Sequence, residues 1–233
     1  MRTGMSRLDS TDLKDDVEPG VRSFIDSINR AYAAYPGLAS LPLAQRRSVA
    51  EAIRRPWASG GPAMAETRTW IADGVRWRLH RPTGDRNLPV MLYIHGGGWT
   101  LFSIDTHDRL MREYAGRSGV AVVGIDYSLS PEAKFPTALN QVVDAVRRLR
   151  RHSGELDVDA ARLAIGGDSA GANLSVTACL KLRDAGEALP QALLLNYGAF
   201  APEPCASYER YDGPSYFLTI EEMGGFWTNY TSD

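Results

Sequence analysis

Leu163-Ala164-Ile165-Gly166-Gly167-Asp168-Ser169-Ala170-Gly171-Ala172 is the stretch on which the reading of this chain turns. Its centre is a G-x-S-x-G run, Gly167 to Gly171. The apolar residues Leu163 to Ile165 read as a strand entering the run, and Ala172 to Leu182 reads as a helix leaving it. A tight strand-to-helix turn strains the serine backbone and lifts its hydroxyl above a sheet. The flanking glycines leave room where side chains would strike the neighbouring strand and helix. Such an elbow predicts acyl transfer through a serine ester, with Ser169 as nucleophile.

Outward from the elbow, buried strands alternate with helices. Leu88 to Ile94 is a nearly continuous apolar run, as expected of a strand covered on both faces. Val120 to Ile125, Arg162 to Ile165 and Ala192 to Asn196 read as further strands, with helices over 111–117 and 136–150 between them. Asp73-Gly74 between 66–71 and 75–80 predicts a hairpin. The pattern predicts an α/β fold: a mostly parallel sheet flanked by helices, with an N-terminal hairpin. Before it, 21–34 and 43–54 carry helical periodicity, the second ended by Pro56, and residues 1–20 are polar and loose. After Pro202 the chain is rich in Pro, Gly and aromatics, with a capping box predicted at Thr219 and Glu222. The expected division is cap helices at 1–60, a core at 61–201 and a lid or cap excursion at 202–233.

A second motif, His95-Gly96-Gly97-Gly98-Trp99, follows the strand ending at Ile94. A tetrahedral intermediate places negative charge on the former carbonyl oxygen, and preorganised backbone N–H groups stabilise it. The loop predicts donors at Gly97 and Gly98, and Ala170, after the nucleophile, supplies another.

The two motifs together resemble the hormone-sensitive lipase-like family of bacterial esterases, which have the α/β-hydrolase fold. Asp126-Tyr127-Ser128-Leu129-Ser130-Pro131-Glu132 with Phe135-Pro136 adds to the likeness, as does Asp105-Thr106-His107-Asp108. The resemblance covers roughly 66–233, and more loosely the N-terminal helices, which would belong to the family's cap. It implies a carboxylic-ester hydrolase acting on short-chain acyl esters through an acyl-enzyme. In it His95 and Gly96 support the oxyanion loop and Asp168 holds the elbow. Ser128 stands where the family usually has Arg, and Gln141 where an acidic residue is common, so neutral groups replace an ion pair.

The fold's order of triad residues is Ser, then Asp or Glu, then His. The four histidines here are His80, His95, His107 and His152, all before Ser169. The resemblance places the acid in a D-P-L-x-D-E-like segment and the His near a last helix; neither segment occurs here, so the triad acid and His are expected to be absent, and the resemblance implies a C-terminally truncated chain without measurable turnover of its own. It would leave the strand at 192–196 as an exposed apolar edge, prone to association. An alternative is a non-catalytic ligand-binding protein or inactive fragment on the same scaffold, as in plant gibberellin receptors. An amide hydrolase with the same triad is a lesser one.

His107 is expected to cap or pack the following helix, and His80 and His152 to be solvated. Trp99 and Phe102 read either as pocket lining or as core. A net charge of −2 argues against nucleic acid and anionic membranes as partners. Two cysteines, Cys179 and Cys205, form neither a disulfide framework nor a metal spacing, and Cys179 reads as buried. No metal or cofactor is expected, and no segment reads as a leader or membrane span. The expected setting is a reducing cytoplasm and the expected partner a small-molecule ester, with homo-oligomerisation left open.

Overall fold

A computed structural model describes residues 17–203 and 205–232, so the loose start expected at 1–20 lies almost wholly outside it. Six strands form one sheet: β1 (Glu66–Ala72), β2 (Val75–Arg81), β3 (Leu88–Ile94), β4 (Ala121–Asp126), β5 (Val158–Asp168) and β6 (Ala192–Asn196). Their order is β1-β2-β4-β3-β5-β6. β1 and β2 form the expected hairpin, with Asp73 and Gly74 both at positive φ in its turn, and β2 runs antiparallel to β4. The remaining pairs, β4 with β3, β3 with β5 and β5 with β6, are parallel.

Side-chain alternation along the central strands divides the core into two. Val90, Leu92 and Ile94 face one layer with Val123 and Ile125, closed by α4 (Thr137–Arg151) and α6 (Ala170–Asp184). Met91, Tyr93 and Val122 face the other, closed by α3 (Asp108–Ser118) through Met111 and Ala115. The helix α4 buries Ala138, Leu139, Val142, Val143, Val146 and Leu149, the stripe expected from its periodicity.

Two helices precede the sheet, α1 (Pro19–Ala33) and α2 (Leu43–Ala58). α2 corrects the sequence reading, because it runs through Pro56 instead of ending before it. The proline sits in the last turn, and the carbonyl it leaves without a donor belongs to exposed Ala52. β5 is also longer than the expected 162–165. Val158 and Asp159 pair with Leu88 and Pro89, then Leu163 resumes opposite Val90, so Ala160–Arg162 bulge out. Asp159 steadies the bulge by accepting the Ala161 N–H at 2.9 Å and Arg162 Nε at 2.6 Å.

His80 is a further correction: it is buried, not solvated. Its strand β2 lies inside the sheet, between β1 and β4, where α3 covers it. Its Nδ1 lies 3.0 Å from Thr67 Oγ1 and its Nε2 3.2 Å from Asp108 Oδ1. Cys179 is half-buried, not buried.

Downstream come short α5 (Ser153–Leu156) and α7 (Ala206–Arg210), then α8 (Ile220–Tyr230). α8 starts with the predicted capping box, Thr219 accepting from the Glu222 N–H and Glu222 from the Thr219 N–H. Among the described residues β6 ends the sheet, leaving Leu193, Leu194 and Leu195 exposed at 47%, 38% and 36%.

Candidate active site

Ser169 sits between the end of β5 and the first residue of α6, at φ 51° and ψ −117°. A non-glycine residue at positive φ stores strain, and the surrounding bonds must hold it there. The Ser169 N–H donates to the Asn196 carbonyl at 2.9 Å, and its carbonyl accepts the Asn173 N–H at 3.1 Å. Asn173 Nδ2 also donates to the Ala199 carbonyl, tying α6 to the chain after β6. The turn is tight enough that a Cβ on Gly171 would strike the Ile94 carbonyl oxygen. Among the described residues Ser169 Oγ has no hydrogen-bond partner, so no imidazole engages it.

The loop at 95–102 lies beside this elbow. Gly97 has φ +118°, where a Cβ would collide with the Leu101 carbonyl oxygen. Its own carbonyl accepts the N–H groups of Thr100 (3.0 Å) and Leu101 (2.8 Å), which folds the loop back. The N–H groups of Gly97 and Gly98 donate to nothing among the described residues. Ala170 is the first residue of α6, so its N–H has no intrahelical acceptor either. The three predicted donors are thus unspent.

Asp168 joins loop and elbow. Its buried carboxylate accepts the Tyr93 hydroxyl at 2.5 Å and the Gly96 N–H at 3.0 Å, and His107 Nε2 lies 3.5 Å away. Burial alone would raise this carboxyl. The His107 and Tyr93 hydrogen bonds, with the nearby imidazoles, outweigh it and hold the group at about 2. The Tyr93 phenol is pushed well up, first by burial and then by Asp168, so it stays a donor.

His95 stacks on Tyr127 at 4.4 Å, and the Tyr127 hydroxyl donates to the His95 carbonyl at 2.9 Å. His95 Nδ1 lies 2.7 Å from the Gly96 carbonyl, to which it donates. Burial first, and then His107, lower His95 to about 4, so the ring is neutral at pH 7.

The roof is built from the chain's two ends. Phe226 of α8 presses on Gly98, where any Cβ would meet its ring. Tyr230 stacks on Trp99 at 4.3 Å with an interplanar angle of 3°, and Trp227 lies 4.6 Å from Trp99. Trp99, 1% exposed, is therefore core. Phe102 is half-buried, with an edge carbon 2.8 Å from where a Gly97 Cβ would sit. From α2, Arg47 reaches across to the loop carbonyls of Thr100 and Ser130, 2.8 Å each, and to Glu132 at 2.7 Å.

The structure thus brings Ser169, Ala170, Asp168, His95, Gly96, Gly97 and Gly98 together. It corrects His107, for which capping or packing the following helix was expected ahead of a place near the site. His107 occupies the N-cap position but makes no capping bond, and faces Asp168 instead. Tyr93 and Arg47 were not singled out in the sequence. Tyr93 is the penultimate residue of β3, two before His95 in the loop, and that proximity is its only local signal. Ser128 and Gln141 keep their connection as neutral groups: the Ser128 N–H donates to Gln141 Oε1 at 2.7 Å, and Gln141 Nε2 to Ser128 Oγ at 2.8 Å. Among the described residues no cluster of three His, Cys, Asp or Glu could hold a metal ion, and no helix is long and apolar enough to cross a membrane.

A family model described as alpha/beta hydrolase fold matches residues 91–233. An acetyl esterase of Salmonella paratyphi B is 36% identical over 178 residues, covering 73% of this chain and 54% of that protein. The chain spans about half the length of the curated relatives it matches. An ester hydrolase from the metagenome of Lake Arreo, solved with a derivative of bipyridine phosphonate, aligns at TM-score 0.84 and 34% identity, over 93% of this chain and 71% of that one. A hyperthermophilic esterase from the archaeon Pyrobaculum calidifontis aligns at TM-score 0.81 and 32% identity, with the same coverage. Matched from Met91 through the glycine loop and the elbow alike, and sharing its fold with solved esterases, this chain belongs to the α/β-hydrolase fold family.

Proposed function

We propose that the protein is a serine esterase acting on short-chain acyl esters through an acyl-enzyme. Ser169 Oγ attacks the ester carbonyl carbon, and the alcohol leaves with a proton. Water then hydrolyses the Ser169 ester and frees the acid. The N–H groups of Gly97, Gly98 and Ala170 hold the oxyanion, while His95, Gly96 and Asp168 fix the loop that carries them. The observation that carries this reading is a serine at positive φ beside three backbone donors without acceptors. The acetyl esterase and esterase relatives support the substrate class.

No imidazole engages Ser169 among the described residues, and no histidine follows it in the sequence. In this reading the base and acid come from outside these 233 residues, and the chain alone turns over esters weakly. The same observation favours a second reading, a non-catalytic ligand-binding protein on this scaffold. Release of p-nitrophenol from p-nitrophenyl acetate separates them. The chain alone should stay near background, and an extended form carrying a later acid and His should turn over and lose that turnover on Ser169→Ala. Turnover by the 233 residues that survives Ser169→Ala would remove Ser169 from the mechanism. An extended form that binds esters without hydrolysing them would favour the second reading.

The exposed leucines of β6 support self-association of the chain by strand-edge pairing. Light scattering should report species larger than a monomer, and Leu193→Lys should shift them toward it. A monodisperse monomer would dismiss that expectation.

A further inference from the structure

Arg54 projects from α2 into an aromatic enclosure. Its guanidinium carbon lies 4.9 Å from the ring centre of Phe102, 5.4 Å from that of Phe217 and 5.5 Å from that of Phe24. These rings come from three separate segments: the oxyanion loop's continuation, the stretch before α8, and α1. None of them accepts a conventional hydrogen bond.

A guanidinium has five N–H donors. Among the described residues Arg54 makes no hydrogen bond or ion pair, and its Nε is buried without a partner. Arg46 has a buried, unpartnered Nε as well, whereas three other sheltered arginines are paired. Arg47 meets Glu132, Arg78 meets Asp105 and Asp108, and Arg81 meets the carbonyls of Leu156 and Asp157. The ionisable groups around Arg54 offer no substitute. Tyr32 and Tyr197 are both pushed up by burial, Tyr197 to about 12, so both are neutral at pH 7. Asp168 is already engaged by Tyr93, Gly96 and His107. Glu51, one turn earlier on α2, is hydrogen-bonded to Ser103.

Arg54 is half-buried, and a partly desolvated cation without an anion is costly unless something supplies one. Its position says what that could be. The Phe102 ring neighbours both groups: its edge lies against Gly97, and its centre is 4.9 Å from the Arg54 guanidinium carbon. An acyl group with its carbonyl at Gly97 and Gly98 that runs along Phe102 comes within reach of Arg54. One positive charge within apolar walls matches a monoanion, and a planar fork matches a carboxylate.

From this geometry we infer that Arg54 is a specificity residue binding the free carboxylate of a dicarboxylic acid monoester, whose ester carbonyl sits at the oxyanion loop. The inference rests on the esterase reading only for where the ester carbonyl lies.

The test is calorimetric titration of the full chain with monomethyl glutarate and with dimethyl glutarate. The monoester should bind at least about tenfold more tightly, as a charge-assisted bidentate contact implies. Arg54→Met should abolish that preference, Arg54→Lys should keep part of it, and exposed Arg55→Met should leave it intact. Ser169→Ala should also leave it intact, since nothing covalent is read. Equal binding of the two esters by wild type, or a preference unchanged in both Arg54 variants, would overturn the inference. Ester turnover is measured separately. A carboxylate preference without turnover supports this inference while the esterase reading fails, and turnover without preference does the reverse.

Discussion

The floor and the roof of the candidate site are built on opposite principles. The floor, formed by β3, β5 and the elbow, is a polar network in which one carboxylate serves three neighbours: Tyr93, Gly96 and His107 gather on Asp168. The roof, formed by α1, α2 and the segments around Phe217 and α8, is aromatic, and its half-buried cation has rings for neighbours and no acceptor among the described residues. Buried polar groups are held cheaply only when their bonds are complete. A completed floor can hold backbone donors fixed for an oxyanion, whereas a roof left incomplete has bonding capacity in reserve for a ligand.

Breaking the floor should have the largest effect. Asp168→Ala strands the Tyr93 hydroxyl and the Gly96 N–H in a buried place, and should cost about 3–5 kcal/mol by urea denaturation. A loss below about 1 kcal/mol would mean that the network does not hold loop to elbow.

Gly97→Val should come next. It forces a β-branched residue to φ +118° against Leu101 and Phe102, for about 1–3 kcal/mol of overpacking. In a form of the protein that turns over esters, displacement of the residue 97 N–H from the oxyanion should lower the rate by up to ~10²–10³-fold. Full rate in that variant would take the loop out of the oxyanion hole.

The floor should also show itself in its pH dependence. His95 is held neutral, its folded pKa at about 4 against about 6.5 in the unfolded chain. Between these values the unfolded state binds more protons, so stability is full above about pH 6.5 and falls as pH drops toward 4. Melting temperatures across that range should fall for wild type and fall less for His95→Gln. Parallel profiles would assign the acid sensitivity elsewhere.

The smallest stability effect should be in the roof. Arg54→Met loses cation–π contacts worth ~0.5–1 kcal/mol each, but it also removes a desolvated charge. The net change should stay within about 1 kcal/mol in denaturation. A loss as large as that of Asp168→Ala would make Arg54 a structural member like Asp168 and erase the contrast.

The parts legible in the sequence were those set by local chemistry. The elbow, the glycine loop, the hairpin at Asp73-Gly74, the stripe of α4 and the capping box at Thr219 all rest on spacings of a few residues. Ser128 and Gln141 were recognised as a departure from the family's pattern, and their reciprocal bonds show that neutral groups can keep a connection. Misreadings arose where distant segments meet. Pro56 looked like a stop, but one lost bond to an exposed carbonyl does not end a helix held by its buried face. His80 looked solvated beside Arg81, because nothing in residues 78–82 says that β1 and β4 flank it and α3 covers it.

What the sequence alone determined was the identity of the elbow and the loop, and with them the fold, because φ-demanding turns and apolar strands write themselves in glycines and short periodicities. Only the tertiary structure decided that His107 turns toward Asp168, that Trp99 is core under Tyr230, and that Arg54 lies among three rings with no carboxylate. Each of these depends on residues tens of positions apart. The bonding state of a side chain is set by whatever the folded chain brings against it, and no local pattern carries that information.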